Sequence, residues 1–301
     1  MPDFRPFRAL RYRAGDAGEC IAPPYDVIDA EQQAALHERS PHNVIRLELG
    51  EQRDDDSPED NRYTRAASTL RAWRASGALA QDEQPSFYVH THEFAHEGKR
   101  YRRTALFGLL RLEPWESGAV RPHEETMRGP KEDRLQLLRA LRTNVSPIFA
   151  LYRDGSATPP VMERATPLFD AETPEGDRHA LSALSAPEDI QSIADALRDQ
   201  PAYILDGHHR FETALAYRDE CRAKAASWTG EEPENFALVA LAAADDPGLL
   251  LLPIHRLVRP PAVPADVVAR LERFFDIDDI TPKSFDGTAL LRLLGRLSAA
   301  G

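Results

Sequence analysis

The sequence predicts a mixed α/β (α+β) fold, and three observations carry the prediction. Two alternating stretches, Phe87 to Phe94 and Arg103 to Leu110, flank Gly98 and read as a β-hairpin. Tyr63, Ala66, Ala67, Leu70 and Trp73 recur at helical spacing, as do Leu135, Leu138 and Leu141. From Tyr203 an apolar run passes through Gly207 directly into a helical pattern that includes Ala214, Leu215, Tyr217 and Arg218, the mark of a strand-to-helix turn.

Taken in order, Phe7 to Tyr12 alternates like a strand, and Pro23-Pro24 breaks the chain before Tyr25 to Ile28. Asp29 can cap a helix over 30–39, and Val44 to Leu49 alternates as a strand ending at Gly50. That makes a strand-helix-strand start. Residues 51–60 are acidic, lack apolar periodicity and read as a solvated loop. His90, His92 and His96 lie on the predicted hairpin. His90 and His92 alternate onto one face expected to be solvated, which argues against a metal there. Pro130 suits the first turn of the helix that Leu135, Leu138 and Leu141 define, and Ser146-Pro147 precede a strand over 148–152. A helix follows from Ala186 to about Leu197, then the Gly207 turn. Phe236 to Leu241 and Leu249 to Val258 read as buried strands, Val267 to Phe275 as an amphipathic helix, and Phe274 to Ile277 as the beginning of another strand. Three segments are expected: 1–112, 113–225 carrying the chemistry, and 226–301.

With 301 residues, 42% hydrophobic and 29% charged, the composition is that of an ordinary globular protein. Its 37 basic against 49 acidic residues give a formal charge of −12, which argues against a broad nucleic-acid surface. No apolar run approaches the roughly 18 residues a spanning helix needs. With only Cys20 and Cys221, and no cationic-then-apolar leader, a cytoplasmic protein without a membrane partner is expected. Neither cysteine belongs to a ligand-spaced cluster, so zinc is not favoured at the Gly207 turn. Oligomeric state is not legible.

The run Asp206-Gly207-His208-His209-Arg210 has the makings of an anion site. Backbone N–H groups at a helix start favour phosphate, Arg210 offers a fork for two oxygens, and His208 or His209 can donate a hydrogen bond or a proton. Asp206 can hold hydrated magnesium or orient a histidine. The same residues also fit a plainer role, with Asp206 capping the helix and the others decorating its first turn. No nucleophile elbow, Walker-type loop or dinucleotide-binding glycine pattern is present.

Four blocks in order, A-P-P-Y-D-V-I (22–28), H-N-V-I-R-L-E-L-G (42–50), P-H-E-x-T with K-E-D-R-L-x-L-L and S-P-I-F (122–149), and D-G-H-H-R-F-E-T-A-L (206–215), give the chain a resemblance to the domain-of-unknown-function family numbered 1015. Members of that family carry a further C-terminal segment, so the resemblance implies a short form or an incomplete last segment. The D-G-H-H-R turn and the R-P-H-E-E stretch are also similar to the ParB/sulfiredoxin-like group, which includes free-serine kinases. That similarity implies a ParB/sulfiredoxin-like core with a mixed sheet, flanked by additional α/β segments.

The residues and that similarity together lead to the expectation of phosphoryl transfer from ATP or ADP, with Mg2+, to a small hydroxyl substrate, free L-serine first among them. Glu124 would be the base, with Asp206 and His209 catalytic beside it. Gly207, His208, Arg210, Lys131 and Arg134 would bind the nucleotide phosphates, Asp206 the metal, and Asp26, Tyr25 and His123 the substrate. Glu124 also fits simple helix-dipole complementarity, Asp26 a turn-stabilising role, and Lys131, Asp133 and Arg134 a surface ion-pair cluster. A ParB-like nucleotide-sensing module and a phosphoester hydrolase remain the competing functions.

Overall fold

The computed structural model describes residues 3–13, 17–126, 128–153, 160–252 and 264–277. Residues 1–249 form one compact unit and 250–301 a second. The expected boundaries near 112 and 225 are therefore not observed. The reason lies in one strand from the third predicted segment, which sits between strands of the first two.

Nine strands among the described residues of the first unit form a mixed sheet. They are β1 (Phe4–Arg5), β4 (Phe87–His96), β5 (Lys99–Arg111), β6 (Val120–Arg121), β7 (Ile148–Tyr152), β8 (Thr166–Glu172), β9 (Arg178–Leu184), β10 (Ala202–Asp206) and β11 (Phe236–Ala243). Their order is β6-β10-β7-β11-β5-β4-β9-β8, with β1 also on β5. β10 runs parallel to β6, β11 runs parallel to β7, and the other pairings are antiparallel. A separate ribbon pairs β2 (Leu10–Tyr12) with β3 (Leu79–Gln81).

Helices α6 (Pro187–Leu197) and α7 (His208–Lys224) cover one sheet face, burying Ile193, Leu197, Phe211 and Ala214 against Val89, Leu106, Ile148, Ile204 and Val239. Burying large side chains of this kind contributes roughly 1.5–3 kcal/mol each. A second core joins α3 (Ile45–Glu48), α4 (Arg62–Ser76) and α5 (Arg128–Leu141) to the β2–β3 ribbon through Leu47, Leu70, Trp73, Leu79, Leu137 and Leu141. A cavity of about 510 Å3 lies among these helices, the ribbon and the other sheet face, where Tyr88, His90, Phe107 and Leu238 line it.

Several expectations hold. The hairpin turns at Glu97-Gly98, with Gly98 at φ 75°. The helix α2 (Ala30–Arg39) starts at Asp29, whose side chain accepts from Gln32 N–H. α4 starts at Asn61 and stops at the left-handed Gly77. The short helix α1 (Ala17–Cys20) was not foreseen.

Other expectations do not hold. Ile45–Glu48, inside the expected strand 44–49, is helical (α3), so α2 is followed by a helix and not by a strand. Buried Asn43 explains the change: its Oδ1 accepts from Ile45 N–H at 3.0 Å while its amide donates to the carbonyls of Glu19 and Ile21. In α5 the buried positions are Arg134, Leu137 and Leu141, whereas Leu135 and Leu138 are half-buried. The face carrying His90 and His92 is half-buried, because β9 pairs alongside β4 and adds His179 next to them. Leu249 to Leu252 form no strand, and residues 253–258 of that expected strand lie outside the described residues.

In the second unit the described residues include the short helix α8 (Val267–Leu271), stapled by an Arg270 to Asp266 pair. Turns, not a strand, follow over Phe274 and Phe275, which are both exposed. No described helix is long and apolar enough to cross a membrane.

Candidate functional site

β6 and β10 are short, and their parallel pairing aims both C-terminal ends the same way. The chain leaving β6 becomes Pro122-His123-Glu124, and the chain leaving β10 becomes Asp206-Gly207. A register shift between Ile204 and Asp206 against β7 marks a bulge at this point, a device that re-aims the exit of a strand. Gly207 then takes φ 97° as the N-cap of α7, with no side chain closing the cap. Only glycine takes that conformation without strain, and an added Cβ would also meet the Arg210 guanidinium at 3.0–3.1 Å. The result is a helix start of positive potential, a place that favours negative charge.

His208 occupies the buried side of the first turn, its side chain fully enclosed. His123 N–H donates to His208 Nε2 at 3.2 Å, so the neutral ring carries its proton on Nδ1. That nitrogen stands 3.1 Å from Glu124 Oε1, although off the hydrogen-bond direction. Burial lowers the His208 pKa by more than the Glu124 carboxylate raises it, so the ring stays neutral. His123 in turn contacts the Ile204 carbonyl through Nδ1 at 2.7 Å and meets the His208 ring edge-on. Glu124 itself is half exposed, at 53% of its side-chain surface. A carboxylate within reach of solvent thus lies beside the enclosed His208 ring, and His123 packs edge-on against that ring.

The other expected phosphate ligands have different partners. Arg210 bonds Asp206 through Nη2, and through Nη1 the Ser146 hydroxyl at 2.7 Å and the Pro147 carbonyl. Its fork is therefore committed to holding Asp206 and the 146–147 turn. Lys131 donates to Glu212 at 2.9 Å, and Thr126 donates to the same carboxylate at 2.6 Å. Desolvation alone would raise Glu212, yet these two bonds hold it below the ordinary carboxylate range. Arg134 is buried against Glu48, donating to its carbonyl and carboxylate at 3.0 and 3.1 Å, and also bonds Asp133. Tyr25 lies over the Arg134 guanidinium at 4.0 Å, while Asp26 follows on an exposed turn. His209 is half-buried in the first turn of α7.

Of the expected residues, Glu124, His123, His208, Asp206 and Gly207 therefore come together. Arg210 supports them, Lys131 is tied to α7, and Tyr25 with Arg134 forms an adjoining layer. His208 is enclosed and turns its ring toward the loop at 122–124.

Reading the sequence missed Glu48 and Ser146. With Arg134, Arg210 and Thr213 they line a small cavity of about 50 Å3. Burial pushes the Glu48 carboxyl up, while Arg134 and Arg210 pull it down. The signal was present in Glu48 itself, a charge within an apolar run, but the strand reading turned it toward solvent.

The blocks at 22–28, 42–50, 122–149 and 206–215 thus meet around α7. A family model described as Protein of unknown function (DUF1015) matches residues 4–294, and the chain belongs to that family. No curated protein and no solved structure matches it.

Proposed function

We propose that the protein is a nucleotide-dependent kinase that phosphorylates a small hydroxyl substrate, with free L-serine the first acceptor to test. The observation that supports this reading most is the meeting of Glu124 with the N-terminus of α7. An acid-base group and a phosphate-binding turn then face one reacting centre.

Glu124 takes the proton of the acceptor hydroxyl as its oxygen bonds to the terminal phosphorus. The bond from that phosphorus to the nucleotide oxygen breaks, and a nucleotide one phosphate shorter leaves. The amides of the first turn of α7 neutralise the transferring group, and His209 lies beside it. His208 and His123 hold Glu124 in place. Arg210 orients Asp206, whose side chain is 45% exposed and keeps Oδ1 available. Magnesium suits such a position, since it takes one or two carboxylates and otherwise water and substrate phosphates. Asp206 would hold it there, and the ion would neutralise charge on the donor phosphates. Tyr25 and Asp26 are assigned to the substrate in this reading, as an aromatic wall and a second carboxylate. A cytoplasmic location belongs to the same reading.

The test incubates the purified chain with magnesium, a panel of nucleoside di- and triphosphates and L-serine, and detects O-phosphoserine by mass spectrometry. Glu124→Gln should lower the rate by about 100-fold or more, with thermal stability unchanged because the carboxylate is half exposed. No product with any donor, or full activity in Glu124→Gln, sinks the assignment. Nucleotide turnover without an acceptor product would point to a hydrolase, and binding without turnover to a sensing module.

A further inference from the structure

A second group of polar side chains lies four to five strands from β10, on the order of 20 Å away by ordinary strand spacing. It is built by strand pairing. The register sets His92 of β4 opposite His179 of β9, and Asp177 stands at the turn just before β9. His92 Nε2 is 2.9 Å from Asp177 Oδ2, and the His92 and His179 rings stack with centroids 4.4 Å apart. One donor atom from each of His92, Asp177 and His179 lies within 4.8 Å of the other two.

We propose that His92, Asp177 and His179 form a binding site for a divalent transition-metal ion of the zinc class. Two imidazoles and one carboxylate are a familiar donor set for such ions, whereas magnesium prefers oxygen alone. Donors sharing one zinc at about 2.0–2.2 Å stand roughly 3–4 Å apart, so small side-chain rotations close this set.

His90 adds an outer partner. Its Nε2 lies 3.0 Å from His179 Nδ1, and a proton on His179 Nδ1 in that bond leaves His179 Nε2 with its lone pair free. Ligating histidines commonly hold their second nitrogen in this way. The His92 side chain is 18% exposed and that of Asp177 39%, so an ion can reach them from solvent. Three protein ligands leave a fourth position for water or for a ligand atom. The ion would tie β4 to the β8–β9 turn, cross-linking segments about eighty-five residues apart. This site is independent of the proposed kinase chemistry.

Titration calorimetry of the tag-free full chain with zinc chloride tests it, alongside melting curves with and without the metal. One zinc per chain and a raised Tm are expected. His92→Gln, Asp177→Asn and His179→Gln should each weaken binding about tenfold or more, and His96→Gln on the same hairpin should leave it unchanged. Circular dichroism checks the fold of each variant, and Asp177→Asn at the exposed turn serves where a buried substitution unfolds the chain. No zinc bound by the native chain, or binding undiminished in folded His179→Gln or Asp177→Asn, overturns the proposal.

Discussion

The histidines at the mouth of α7 and those on β4 and β9 use their ring nitrogens differently. At α7, His208 is enclosed and faces the loop at 122–124 with both nitrogens, accepting from His123 N–H and standing 3.1 Å from the Glu124 carboxylate. On the far strands His90, His92 and His179 bond mainly to one another and to Asp177. The first arrangement supports a loop by burying its histidine. The second leaves donor atoms close together, with solvent nearby. Similar chemistry thus serves as a brace in one place and as a cluster of donors in the other, according to which side of the backbone is covered.

The largest effect is expected beneath the α7 mouth. Arg134→Ala leaves the Glu48 carboxylate buried without its bonded ion-pair partner and should cost about 3–5 kcal/mol of stability by denaturant unfolding. A cost near that of an exposed pair would show that this layer is not the support described here.

Next comes the pH response of the far cluster. Burial, reinforced by His179 and His92, pushes His90 down to about 3 from the usual 6.5. The unfolded chain therefore takes up a proton at this residue below pH 6.5 that the folded chain refuses until near 3. The stabilisation is complete above 6.5 and is lost as pH falls, amounting to about 3 kcal/mol by pH 4. His90→Gln should flatten the fall in stability between neutral and acid pH by that amount. An unchanged slope would mean the ring is protonated in the fold.

The smallest of these effects belongs to the turn. Gly207→Ala forces a left-handed residue and crowds the Arg210 guanidinium, a cost of about 1–2 kcal/mol. Any activity should fall further than this loss of stability explains, because the turn aims the first amides of α7.

Much of the near site was legible because it is local. Five consecutive residues carry Asp206 to Arg210, and an apolar run changing to helical spacing at a glycine shows where the turn must be. Glu124 was placed by resemblance, and its distance from His208 needed the pairing of β6 with β10. Glu48 was lost because Ile45-Arg46-Leu47-Glu48 satisfies both an alternating pattern and a single helical turn. Asn43, whose bonds decide between them, acts through residues 19 and 21. The His92 cluster was illegible for a different reason. Alternation reveals which residues share a strand face, but it cannot reveal which strand lies alongside, and Asp177 and His179 arrive from far along the chain.

β11 enters the sheet between β7 and β5, yet it follows both in the chain. A ribosome therefore delivers both neighbours well before the strand that separates them. Until residue 243 has emerged, the growing chain carries two bare strand edges of the kind that recruit strands from other molecules. Chaperones that shield extended apolar segments would have their longest hold on this protein during that interval, and slowing translation just upstream of β11 would lengthen it.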